Sequence, residues 1–390
     1  MSRKSTLKKT ESVRIFRILF ISVFSAMLGL GIVVPLLPFY AESLGATGLW
    51  IGAIFSGFSL SRAVFMPVIG RMSDKRGRKI FILLGLLIYT VISFAYLSAI
   101  SVFYLTAVRI VHGIASAMVI PVAMAYIADF SPEGGEGSHM GTFTISMLLG
   151  MGFGPLLGGI IKELFGMNTV FLSMALFSAI SFIICLIFLP ESAGVHRIGA
   201  SIIKALGSRM MKGVLFFRVM NAFAIGSYMV YLPVVTSKLN HISTSQIGVL
   251  ISLSIITTAL FQRTTGKIAD AGRKSVLIVA GSAIVAASLL SIPFLQSFQE
   301  LLIASLFIGV GSALSLPSAM AVVTMAGREV GQGSAMGAFN TAMSIGMITA
   351  PMVTGGIMDL FGEFYVFIFS GIVCFLSIPI FWAIISKTGV

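Results

Sequence analysis

Residues 70–79 read GRMSDKRGRK, and residues 266–274 read GKIADAGRK. Six of the first ten residues are charged, in a chain of 390 residues that is 57% hydrophobic and only 10% charged. Gly70 maps onto Gly266 and Asp74 onto Asp270, in both cases 196 residues apart. The same offset carries GIASAMVIPVAMA (113–125) onto GVGSALSLPSAMA (309–321), with Pro121 on Pro317. It also carries Gly150 and Pro155 onto Gly346 and Pro351, and ELFG (163–166) onto DLFG (359–362). So constant an offset marks two copies of one unit, with the charged stretch as a landmark in each.

Between the landmarks lie long runs with few charges. A mean hydropathy of +1.05 excludes a water-soluble globule, because too little polar surface exists to cover one. Runs of about 20 apolar residues match a bilayer core about 30 Å thick. Transmembrane β-strands would instead alternate in hydrophobicity. The fold class is therefore an all-α integral membrane protein with twelve transmembrane helices in two pseudo-symmetric six-helix halves. Spans of the length a bilayer requires fall at roughly 18–40, 48–69, 80–99, 102–128, 139–161, 167–189, 213–236, 245–266, 275–294, 299–324, 332–357 and 363–385. The expected organisation is a basic tail (1–17), a first half (18–189), a linker (190–211), a second half (212–386) and a short tail (387–390). IGASIIKALG (198–207) in the linker suits either a short amphipathic helix on the membrane surface or a connecting loop.

The first apolar run is long and broken by Pro35 and Pro38, which fits a spanning helix better than a cleavable signal. The two cysteines, Cys185 and Cys374, sit inside apolar segments and read as free buried thiols, with no metal role. The net charge of +13 has a topological origin. Twenty Lys and Arg residues lie in the N-terminal tail, the loops after spans 2, 6, 8 and 10, and the C-terminus, against Lys162 and Lys238 on the other side. Basic loops stay in the cytoplasm, so both termini are expected there, in the cell membrane. The basic balance carries no nucleic-acid signal.

Six is an even number, so the second copy enters from the same side as the first and the repeats are parallel. Halves related this way form the architecture of alternating-access carriers, whose substrate site lies near the membrane midplane. No G-x-x-x-x-G-K-[ST] loop is present, which argues against an ATP-driven pump.

Four motifs carry a family resemblance that covers nearly the whole chain after the tail. GRMSDKRGRK resembles the major facilitator superfamily's loop pattern between spans 2 and 3. RIVHG (109–113) resembles the span 4 pattern R-x-x-Q-G, with His112 in place of Gln. GFGPLLGG (152–159) resembles the antiporter pattern of span 5, and LPES (189–192) the end of span 6. The closest resemblance is to the 12-helix drug:proton antiporter group. It implies a carrier with no cofactor, driven by a proton gradient, acting as a monomer on small molecules amid membrane lipid.

For the loop, the candidate latch comprises Gly70, Arg71, Asp74, Gly77, Arg78, Lys79, Asp129 and Asp270. The glycines permit tight turns, and an aspartate is favoured at a helix N-terminus. The resemblance implies that this terminus belongs to span 11, and that the arginines pair with an acid at the end of span 4, matched here by Asp129. A solvated loop that only fixes topology is the plainer reading. In span 5, Gly150, Gly154 and Gly158 share one face, beside Pro155 and Gly159. Such a face lets membrane helices pack closely and is the candidate pivot.

Charge inside the spans is the sharpest signal. Arg263 and Arg218 lie about 5 and 9 Å from the basic-loop ends of their helices and can snorkel. Arg62 and Arg109 are each about 12 Å deep. A buried arginine at a helix centre costs roughly 2.5–3.5 kcal/mol on insertion scales, which calls for a wet cavity or a partner. His112 lies one turn from Arg109, and histidine titrates near pH 6.5. The candidate cavity residues are Arg62, Arg109, His112, Asn221, Tyr228 and Asn340.

All 13 carboxylates lie in the tail, in loops or near span ends. Exporters of cationic drugs in the resembled group keep a membrane-embedded acid, yet SAMLGLGIVVPLLPFY (25–40) in span 1 has none. Excess arginine favours neutral or anionic cargo. The leading expectation is proton-coupled efflux of small amphipathic or drug-like molecules. Alternatives are an organic-anion transporter using the buried arginines, or a non-transporting sensor or scaffold on the same fold. No nucleophile–base or metal-ligand constellation supports an enzyme.

Overall fold

A computed structural model describes residues 3–130, 136–191, 208–240, 242–271 and 274–386. The possible linker helix at 198–207 lies outside the described residues, as does the side chain of Asp270. The elements are α1 (Arg3–Val33), α2 (Leu37–Ser43), α3 (Gly48–Arg76), α4 (Arg78–Leu97), α5 (Val102–Phe130), α6 (Glu136–Phe165) and α7 (Met167–Phe188). They continue as α8 (Arg209–Asn240), α9 (Thr244–Ala271), α10 (Lys274–Ser291), α11 (Phe298–Val330), α12 (Gln332–Phe361) and α13 (Glu363–Ile385). Among the described residues, 12 segments are long and apolar enough to cross a membrane.

The chain chemistry explains the helix boundaries. Pro35 lacks an N–H and disfavours helix at the residue before it. The first span accordingly breaks into a 3-10 turn at Val34–Leu36 before α2 resumes. Helix α1 begins at Arg3, so the basic tail runs without a break into the first span. Gly166 (φ +82°) and Gly362 (φ +95°) end α6 and α12 in the left-handed region that favours glycine. These are the last residues of ELFG and DLFG, so that landmark marks a helix terminus.

The charged stretch is less loop-like than expected. α3 runs on to Arg76, and Gly77 (φ +90°) alone makes the turn into α4. Gly70 lies within the helix with open space around it, which removes the turn-forming role given to it.

Contacts divide the chain into two compact units: residues 1–34 with 60–197, and residues 35–59 with 198–390. Residues 35–59 make most of their contacts with the second unit. α2 and the start of α3 pack on α8 and α12, for the reasons given below.

Within the first unit, α6 lies against α1 through its glycine face. A Cβ at Gly154 would stand 2.5 Å from Gly31 Cα, and one at Gly158 would stand 2.3 Å from the Ile32 carbonyl oxygen. At Gly150 it would meet the Phe24 carbonyl oxygen at 2.7 Å. Gly159 is buried beside them. The second unit repeats the arrangement, with a Cβ at Gly346 of α12 falling 2.4 Å from the Val219 carbonyl oxygen of α8. Backbones this close gain dispersion contacts without the aid of a hydrophobic effect, which lipid cannot supply.

Candidate functional site

In the first unit, α4 and α5 build a polar cluster inside the apolar bundle. Gly85 lets the helices approach, since a Cβ there would lie 2.6 Å from Val119 and 3.0 Å from the Ala115 carbonyl oxygen. Tyr89 and Tyr96 are seven residues apart, two turns along the same buried face of α4. The Tyr96 hydroxyl and His112 Nδ1 are 2.9 Å apart, and the Tyr89 ring meets the imidazole edge-on at 4.8 Å. Tyr96 also stacks on Phe171 of α7, with centroids 5.2 Å apart. Arg109 is 2% exposed and reaches the Tyr96 hydroxyl. Arg109 and His112 are therefore enclosed by side chains of their own unit.

Arg62, at the middle of α3, stays half-buried. Ser61 donates to the Ile110 carbonyl oxygen at 2.9 Å, pinning this part of α3 to α5 one residue from Arg109. Arg62's charged or polar neighbour is Tyr89, whose hydroxyl also faces Ser116. The cluster thus offers guanidinium, phenol, imidazole and serine groups, with no carboxylate among the described residues that form it. Its chemistry suits hydrogen-bond acceptors and negative charge.

The second-unit candidates do not converge. Tyr228 is 1% exposed, and its hydroxyl lies 2.9 Å from Ser305 Oγ and 3.3 Å from the Leu250 carbonyl oxygen. It ties α8 to α9 and α11. Asn221 is buried and accepts from Arg218 Nη1 at 3.1 Å, while that guanidinium stands 4.9 Å over the Phe339 ring. Asn340 is exposed on α12.

At the α3–α4 turn, Arg78 is buried with two acids. It bonds Asp74 at 2.9 Å and makes a short contact to Asp129 at the end of α5. Lys79 donates to the Leu186 carbonyl oxygen at 3.1 Å, and Arg71 to that of Pro67 at 3.2 Å. The charges of the landmark stretch are thus largely consumed within their own unit.

A further cluster, in the second unit, was not foreseen. Asp359 of α12 accepts from the Gly48 and Leu49 amides at 2.6 and 2.8 Å, capping the positive N-terminus of α3 from outside. The Tyr231 hydroxyl lies 2.9 Å from the Gly48 carbonyl oxygen and 2.7 Å from that of Pro351. Ser56 donates to the Ile348 carbonyl oxygen at 2.6 Å. Lys238 reaches Glu42 at 3.0 Å and Glu363 at 2.8 Å. Cβ atoms at Gly52 and Gly355 would collide with the Pro351 and Gly48 carbonyl oxygens at 2.3 and 2.2 Å. These contacts hold residues 35–59 in the second unit. The available signal was the repeat itself, since Glu42 and Lys238 also lie 196 residues apart.

Comparison with known proteins agrees with this architecture. The chain is 32% identical over 367 residues to the "Uncharacterized MFS-type transporter MJ1560" of Methanocaldococcus jannaschii, covering 91% of this chain and 94% of that one. It is 26% identical to Multidrug resistance protein 2 of Bacillus subtilis, covering 94% of each. The nucleoside transporter NupG shares the fold with a TM-score of 0.79 at 14% identity, over 95% of this chain and 98% of that one. The sequence profile of the Major Facilitator Superfamily matches residues 19–211 and 214–389, and the chain belongs to that family.

Proposed function

We propose that the protein is a secondary active transporter of the cell membrane that works by alternating access and exports small amphipathic or drug-like molecules in exchange for protons. The observation that carries this reading is the mid-span cluster of Arg62, Tyr89, Arg109 and His112, because polar groups at that depth are costly unless they serve a pathway. Kinship with a protein named for multidrug resistance supports the export of drug-like cargo. Both termini lie in the cytoplasm on this reading, following the basic loops. On this reading the Arg78 network acts as the cytoplasmic latch, and the Asp359–Lys238 cluster as a contact that releases residues 35–59 when it opens. The glycine contacts of α6 and α12 serve as pivots. No cofactor is needed, and the monomer is the working unit.

Purified protein in liposomes with an acidic interior and a trapped pH-sensitive dye tests it. Lipophilic cations, neutral drugs and organic anions are added in turn. Substrate-dependent alkalinisation of the interior is expected for at least one class. Uptake of a labelled compound without proton movement would remove the antiport, and no uptake of any class would remove the transport reading.

A further inference from the structure

Four arginines lie inside spans, Arg62, Arg109, Arg218 and Arg263, and none of the 13 carboxylates accompanies them there. The chain therefore carries uncompensated positive charge into the membrane. Charge at that depth is retained where it meets a partner or a pathway, and three of these four have an evident accommodation. Arg263 is exposed on α9. Arg218 is engaged with Asn221 and lies over Phe339. Arg109 is sealed at 2% exposure against Tyr96.

Arg62 differs from all three. It sits at the centre of a 29-residue helix, half-buried, and its electrostatic neighbour is a phenol. That phenol, Tyr89, is fully buried and its hydroxyl faces Ser116 Oγ, but the two do not make a well-formed hydrogen bond and neither has another hydrogen-bond partner. Buried hydroxyls are nearly always satisfied, so each such exception calls for a missing partner. A partly buried arginine beside hydroxyls that lack a well-formed bond, with Arg109 adding positive potential, is completed by a single group. That group is an oxyanion, which accepts paired N–H bonds from arginine and an O–H bond from tyrosine.

We propose that Arg62 and Tyr89 bind the carboxylate of the transported molecule, so that the cargo is an amphipathic organic anion. This rests on the transport reading and narrows its substrate class. The apolar remainder of such a molecule needs no charged partner, consistent with spans otherwise free of acids.

The test uses full-length protein in lipid nanodiscs and three matched pairs of probes, each an aromatic carboxylic acid such as pyrenebutanoate with its primary amide. Binding is read by fluorescence anisotropy, and flux by uptake into proteoliposomes. Wild type should bind each acid at least 10-fold more tightly than its amide. Arg62→Gln should bring that ratio near one while amide affinity holds. Tyr89→Phe should lower the ratio less, and Arg62→Lys should keep part of it. A wild-type ratio near one, or binding of neither member, overturns the proposal without needing any variant to fold. A ratio preserved in Arg62→Gln overturns it too. Acid preference without uptake of any probe would sink the transport reading and leave the anion site standing. Equal uptake of both members without preference would do the reverse.

Discussion

Arg78 and Arg62 are the same residue type on adjoining helices of this chain, with opposite surroundings. Arg78 is 2% exposed and bonds Asp74 and Asp129, so its charge is neutralised by the chain itself. Arg62 is half-buried at mid-helix, with Tyr89 beside it and no acid contributing among the described residues. A buried ion pair whose members satisfy each other is a structural device; a buried cation left without one is held in reserve for something that arrives. Arg109 stands between the two, enclosed by Tyr89, Tyr96 and His112 and in reach of the Tyr96 hydroxyl. Where the acid comes from, the chain or the cargo, separates fold from function in this molecule.

The largest effect is expected at Arg109. Arg109→Ala should reduce flux to background while the protein keeps its size-exclusion profile, because its charge sets the field in the mid-span cluster. Normal flux in a proteoliposome assay would break the comparison at its functional end. Next comes Arg78→Ala, which strands Asp129 with a side chain only 4% exposed. Removing one member of a buried pair costs about 3–5 kcal/mol, and thermal unfolding in detergent should show a clear drop. Arg62→Ala should leave the unfolding temperature unchanged or raise it, since no protein partner is abandoned. Equal losses at both positions would show that Arg62 has a structural partner after all.

Part of this was legible in the sequence, for definite physical reasons. Span number and parallel duplication follow from hydropathy and a constant offset, both properties of the bilayer and the repeat. The glycine face of α6 was legible because a period of four on a helix has one structural meaning, and Gly150, Gly154 and Gly158 do meet α1. Tyr89 and Tyr96 went unnoticed because tyrosines in apolar spans read as packing; their shared face matters only once α5 is seen to lie opposite. The Tyr228 contacts with Ser305 and Leu250 were not legible, because periodicity cannot distinguish a residue facing a cavity from one facing a neighbouring helix. The packing of residues 35–59 on α8 and α12 was invisible, since it depends on long-range contacts such as Gly48 with Asp359, 311 residues apart.

The Asp359 cluster provides an intermediate case, in which an acid answers a helix terminus in place of an arginine. Asp359→Ala removes two acceptors from the α3 N-terminus, and loss of such a cap costs about 0.5–2 kcal/mol. The drop in unfolding temperature should therefore be smaller than for Arg78→Ala. Labelling of a Ser56→Cys reporter should quicken in parallel as residues 35–59 loosen. An effect as large as that of Arg78→Ala would show the cap to be more deeply desolvated than the helix terminus implies.

The smallest effect belongs to Lys238, whose side chain is 46% exposed although it joins two acids. Solvent screens such pairs, and each contributes about 0–1 kcal/mol. Lys238→Ala should hardly shift the unfolding temperature. Lys238→Glu is the sharper probe, because it sets three like charges together at an otherwise closed contact. If the cluster is a latch that must open, this variant should speed Ser56→Cys labelling while the protein remains folded. Unchanged labelling would mean that hydrogen bonds and glycine contacts hold residues 35–59 without help from charge. The ion pairs would then resemble Arg78 in partners but neither Arg78 nor Arg62 in consequence, and burial rather than pairing would decide what a charge does here.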